Sequence, residues 1–168
     1  MKSNLAWLPA LAMAAVLAGC MMNKSGTPEE EVATYEAPDS AVAATDRIQF
    51  VTNLDGGQET PPVETIANGS GMIYLDRASR KLLWDISYND LSSPVTAAHF
   101  HGPVGPGVAA GVQLKLAPTN ATTNRIVGEA TLTDEQMRQV LGGLWYVNIH
   151  TKKHPDGEIR GQVENAGM

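Results

Sequence analysis

Histidine is scarce in this 168-residue chain, and its four copies fall in two short segments. Thr96 to Gly107 carries His99 and His101 on either side of Phe100, and Asn148 to Gly161 carries His150 and His154. On a β-strand, alternate side chains share a face, so a His-x-His pair sets two imidazoles on one side with Cα atoms about 7 Å apart. That spacing lets both rings ligate one metal ion. A third imidazole from a neighbouring strand completes a three-nitrogen site suited to copper, or with the same donors to zinc.

The elements around these residues must supply that geometry. Arg47 to Leu54, Ser70 to Leu75, Lys81 to Tyr88, Val95 to His101, Gly111 to Leu116, Arg125 to Leu132, Leu144 to Thr151 and Glu158 to Glu164 alternate apolar and polar residues or are bounded by turn signals such as Asp55-Gly56-Gly57. Seven or eight short strands at near-regular spacing predict an all-β fold, an antiparallel β-sandwich. One segment departs from period two: Thr133 caps, Gln136 completes a capping box, Met137, Val140 and Leu141 form an apolar stripe, and Gly142-Gly143 ends a short helix.

Strand parity then sorts the histidines. With Ala98 and Phe100 turned to the core, His99 and His101 share the opposite face. Trp145, Val147 and Ile149 as a core set put His150 with Tyr146 and Asn148, and Ile159, Gly161 and Val163 as inward residues turn Arg160 the same way as the histidines. His154 follows in the loop after His150, as a fourth ligand or a solvated residue. Glu158 and Asp156 stand near His150 as candidate acid or base groups or salt-bridge partners of Arg160, although Asp156-Gly157 also reads as a turn.

Other chemistries find less support. The glycines and prolines of residues 102–107 are not followed by Lys-Ser/Thr or a helix, so they do not read as a phosphate-binding loop. No Gly-x-Ser-x-Gly elbow frames a nucleophile. None of the seven methionines lies beside the histidines, which argues against a Met-rich Cu(I) carrier site. With a net charge of -6 and no basic run, nucleic acid is not an expected partner.

The N-terminus carries a separate message. Lys2, the apolar run Leu5 to Leu17 and the sequence Leu17-Ala18-Gly19-Cys20 resemble a bacterial lipoprotein signal, with residues 1–19 removed and Cys20 lipidated. Cys20 is the only cysteine, so an intrachain disulfide is impossible. Residues 20–45, with two prolines and Glu29-Glu30-Glu31, read as a flexible tether to the folded region at 46–165. The expectation is an exported, periplasmic protein anchored to a membrane by lipid alone. Met21 in place of an aspartate favours the outer membrane.

Four motifs, Asp55-Gly-Gly-Gln-Glu-Thr-Pro-Pro-Val63, Ala97-Ala-His-Phe-His-Gly-Pro103, Tyr146-Val-Asn-Ile-His-Thr151 and Pro155-Asp-Gly-Glu-Ile-Arg-Gly-Gln162, resemble in order those of the CHRD domain, named after chordin. More distantly, His-aromatic-His on one strand, a His late on another and an Arg on the last are similar to the copper site of copper/zinc superoxide dismutases, which are Greek-key sandwiches. That resemblance implies a superoxide-dismutase-like or immunoglobulin-like Greek-key fold, copper on His99, His101 and His150, and Arg160 as the catalytic cation that guides a small anion such as superoxide. The bridging histidine, the zinc ligands and the disulfide of that family are missing, so the resemblance is to a copper-only centre. The alternatives are a non-catalytic binding or adhesion module and a copper carrier without turnover.

Overall fold

The computed structural model describes residues 46–116 and 124–167. The expected signal peptide, the Cys20 lipidation site and the tether at 20–45 lie outside the described residues. Strand β1 (Arg47–Asp55) runs into a single 3-10 turn at Gly56–Gln58, capped by the Asp55 side chain. It is followed by β2 (Asn68–Asp76), β3 (Lys81–Asn89), β4 (Val95–His101), β5 (Val112–Lys115) and β6 (Arg125–Thr131). Helix α1 (Asp134–Leu141) precedes β7 (Tyr146–Thr151), β8 (Ile159–Gln162) and β9 (Glu164–Asn165).

Every strand pairing is antiparallel, in the order β5-β4-β7-β8-β1-β2-β3-β6, with β9 added beside β1. The fold is thus an all-β sandwich made by one curled sheet. Contact across the fold shows the curl, because the rings of Trp84 on β3 and Phe100 on β4 meet edge to face at 5.6 Å although their strands are far apart in the sheet order. Trp145 also packs on Phe100, with ring centroids 5.7 Å apart.

Between the two halves of the sheet lies the apolar core. Phe50, Ile73, Leu75, Leu82, Ile86, Phe100, Trp145, Val147, Ile149 and Ile159 have no measurable exposure, and each contributes about 1.5–3 kcal/mol by leaving water. Period-two alternation along β1 and β3 supplies this face directly. At α1, Thr133 accepts from the Gln136 backbone while the Gln136 side chain accepts from the Thr133 backbone, so two end donors of the helix are satisfied.

Most strand ends shift by a residue or two from the sequence pattern, and two differences bear on the site. Trp145 precedes β7 rather than belonging to it, since the Val163 amide donates to the Trp145 carbonyl and Gln139 accepts from the indole. The last expected strand is split at Val163 into β8, which pairs with β7 and, at Arg160, with β1, and β9, which pairs with β1 alone.

Candidate metal centre

Residues of the face opposite the core on β4, β7 and β8 line up in rows across the sheet. One row runs Lys115, His99, Asn148, Arg160 and Asp55, and the next runs His101, Tyr146 and Gln162. His150 pairs with Ala97 beyond them. Such a face on an antiparallel sheet is ordinarily wet. Here all six residues of β7 and all four of β8 are buried, because the loops at 56–65, 102–111 and 152–158 fold over it.

His99, His101 and His150 converge, with one ligand nitrogen from each lying within 4.8 Å of the others. Ring centroids are 5.0 to 5.8 Å apart. His101 Nδ1 lies 2.9 Å from the Ala110 carbonyl oxygen and His150 Nδ1 lies 3.0 Å from that of Pro155. A carbonyl can only accept, so each Nδ1 carries hydrogen and each Nε2 keeps its lone pair. His150 Nε2 meets His99 Nδ1 at 3.2 Å, and His101 Nε2 is buried without a partner.

An unpartnered buried nitrogen beside two other imidazoles fits a metal, and the carbonyls behind two of the rings do what outer hydrogen bonds do for metal-ligating histidines: they fix tautomer and orientation. Electrostatics agree. Burial, then the neighbouring His150 and His101, then Lys115 lower the His99 pKa to about 4. Burial also lowers those of His101 and His150, against the opposing carbonyl bonds, with Arg160 adding to the effect at His101 and His101 at His150. All three are therefore held in the neutral form that metals require.

His154 stands apart from this group. Its backbone organises the turn, accepting from Thr151 and Gly157 and donating to the Thr151 hydroxyl, and its Nε2 is buried without a partner. Arg160 shares the face with the histidines but is separated from them by Tyr146. The guanidinium carbon lies 3.5 Å from the Tyr146 ring centroid, and Tyr146 is stacked on His101 at 5.0 Å and 8°. The expected alternative of a salt bridge from Arg160 to Glu158 or Asp156 is not formed. Arg160 instead donates to the Val108 carbonyl at 2.9 Å and to the Thr60 hydroxyl at 3.3 Å.

Glu158 is fully buried and its carboxylate accepts from Thr65, from the Ser92 amide and hydroxyl, and from Thr151. Burial pushes its pKa up, and these four bonds outweigh that and leave it below the usual value. This is a structural anion that ties three loops together rather than the acid or base suggested by its place in the sequence. The residue that sequence reasoning missed is Glu59. It is buried against Asn148, whose Nδ2 donates to Glu59 Oε2 at 3.3 Å, and burial lifts its pKa to about 7 despite the nearby Arg160. Its only sequence signal was membership of the Asp55 to Val63 motif, because its partner is 89 residues away.

No curated protein and no solved structure matches the chain. The family model for the CHRD domain matches residues 50–163, more than half of the sequence and all of the strands that carry the site. The chain belongs to the CHRD domain family.

Proposed function

We propose that this is an exported, lipid-anchored copper-binding domain that removes superoxide. The observation that carries the reading is the convergence of His99, His101 and His150, with His101 Nε2 buried and unpartnered. Three imidazoles suit both oxidation states of copper, and a copper ion held there supplies one-electron redox chemistry. Zinc is accommodated by the same donors.

The chain's own residues do the rest. The Ala110 and Pro155 carbonyls hold two rings so that Nε2 faces inward. Arg160 adds positive charge to a protein of net charge -6 and favours the approach of a small anion. Tyr146, between Arg160 and His101, keeps that charge from occupying the imidazole site itself. Residues 1–19 act as the leader, Cys20 is the lipidated residue, and residues 20–45 tether the domain to the outer membrane.

Titration of Cu(II) into residues 46–168 tests the metal. Binding tighter than ~10 μM is expected, with about a hundredfold loss in His99→Ala. Weaker wild-type binding removes the proposal in favour of a non-catalytic module. Superoxide removal by the loaded protein then separates an enzyme from a copper carrier, and Arg160→Ala is expected to slow it while copper stays bound. Incorporation of labelled fatty acid, abolished by Cys20→Ser, tests the anchor.

A further inference from the structure

Glu59 and Asn148 pose a hydrogen-bonding problem that one proton solves. Asn148 Nδ2 donates to Glu59 Oε2, which leaves Glu59 Oε1 and Asn148 Oδ1, both buried and both without a partner. The two oxygens face the same space: each lies within 2.6 Å of the point where a side chain on Gly157 would begin. A carboxylate oxygen and an amide oxygen are both acceptors, so as bare groups they repel. Turning the Asn148 amide over does not help, because it brings Oδ1 against Oε2 instead. Arg160 does not resolve it either: its hydrogen bonds go to Val108 and Thr60, and neither oxygen receives one. A hydrogen on Oε1 satisfies both oxygens at once and closes a two-bond ring between acid and amide.

Glu59 also helps line a cleft of about 420 Å³, walled by Pro62 and Pro106, with Thr60, Arg160 and Gln162 among its polar lining. Glu59, Arg160 and Gln162 are each more than nine-tenths buried, and Gln162 Oε1 is also unpartnered. The charge of this cleft depends on whether Glu59 is ionised. The other charged or titratable groups on the surrounding elements include Asp55 on β1, which accepts from Gln58 and caps its turn, Tyr146 under Arg160 with His101 behind it, His99, His150 and Lys115 further along the face, and Asp156 and the hydrogen-bonded Glu158 in the last turn.

We propose that Glu59 is a buried carboxylic acid, its Oε1 hydrogen donated to Asn148 Oδ1, and that this proton leaves Arg160 as the uncompensated charge of a cleft that binds a small monovalent anion. The inference deepens the role given to Arg160 above, and it holds in the metal-free protein, so its failure and that of the copper site are separable. Burial sets the ionisation of Glu59 near neutrality, at about pH 7. Because the acid is neutral below that pH, the cleft carries its full positive charge in mild acid and loses it as Glu59 ionises.

Two measurements on the metal-free protein test this. Infrared spectroscopy at pH 5.5 is expected to show a protonated carboxylic acid band that fades as pH rises through about 7 and is absent in Glu59→Gln, a nearly isosteric change. In Asn148→Ala, which keeps the acid and removes its amide, the band is expected to move to higher frequency. Absence of the band in wild type, or its persistence in Glu59→Gln, overturns the assignment. Thiocyanate, which stays anionic throughout, then probes the cleft through the Arg160 Nε–H resonance. Its affinity is expected to fall at least about threefold from pH 5.5 to 8.5, the effect of one unit charge about 6 Å away even at the dielectric of water. In Glu59→Gln that dependence is expected to vanish. No thiocyanate binding, or an equal pH dependence in the variant, overturns the cleft.

Discussion

Proton competition at the three histidines gives the sharpest test of the centre. A metal must displace protons from its imidazoles, and each imidazole of ordinary pKa, about 6.5, costs a factor of about 11 in apparent affinity at pH 5.5. Three such ligands lose about 10³ on going from pH 7.5 to 5.5. Here His99 is held near pKa 4 and therefore costs nothing over that range. His101 and His150 are also lowered, by burial above all, so together they cost less than the 10² of two ordinary imidazoles. The expected loss is under about a hundredfold, measured by competition with a chelator of known affinity at the two pH values. A thousandfold loss would refute the reasoning, because it would mean that the rings sit in water with ordinary basicity. The same depression sets the sign for the metal-free fold. Between pH 6.5 and about 4 the unfolded chain binds protons that the folded His99 does not, so this contribution to stability is lost as pH falls through that window.

Glu158→Ala removes the acceptor of four hydrogen bonds and strands Thr65, Ser92 and Thr151, which predicts a loss of about 3 kcal/mol in urea unfolding. Because its folded pKa is lowered, the wild-type advantage over this variant is expected above pH 4.5 and to shrink as the acid form takes over; an advantage that grows in acid contradicts the assignment. Phe100→Ala opens a cavity between Trp84 and Trp145, and a loss of about 3–5 kcal/mol is expected by the same method. A loss below about 1 kcal/mol would mean that the curled halves of the sheet do not pack through this ring.

Much of this architecture was legible because alternation is a direct record of which side faces the core. Ala98, Phe100, Trp145, Val147, Ile149, Ile159 and Val163 are buried as their parity requires, and the Thr133 to Gln136 capping box forms as written. Parity also put His99, His101, His150 and Arg160 on one face. It could not show that this face is buried as well, since the covering loops hold it through backbone carbonyls, and a carbonyl has the same chemistry at every residue. For the same reason Glu158 read as an acid or base from its closeness in sequence to His150, while Glu59 carried no such signal.

The loops and the polar face depend on each other. Ala110, Pro155, Val108, Val104 and Gly143 present carbonyl oxygens to His101, His150, Arg160 and Gln162. Carbonyls brought under cover by loop closure need donors, and the face supplies them from alternate positions of β4, β7 and β8. In return each side chain loses its rotational choice: a histidine that donates from Nδ1 presents Nε2, and a guanidinium bound to Val108 and Thr60 stays over the Tyr146 ring. A face of acceptors such as Asp or Glu would leave those carbonyls unpaired, whereas Lys would satisfy them without fixing a ring. Histidine at 101 and 150 therefore serves closure, and the orientation that a metal would need follows from the same hydrogen bonds that keep the loops shut.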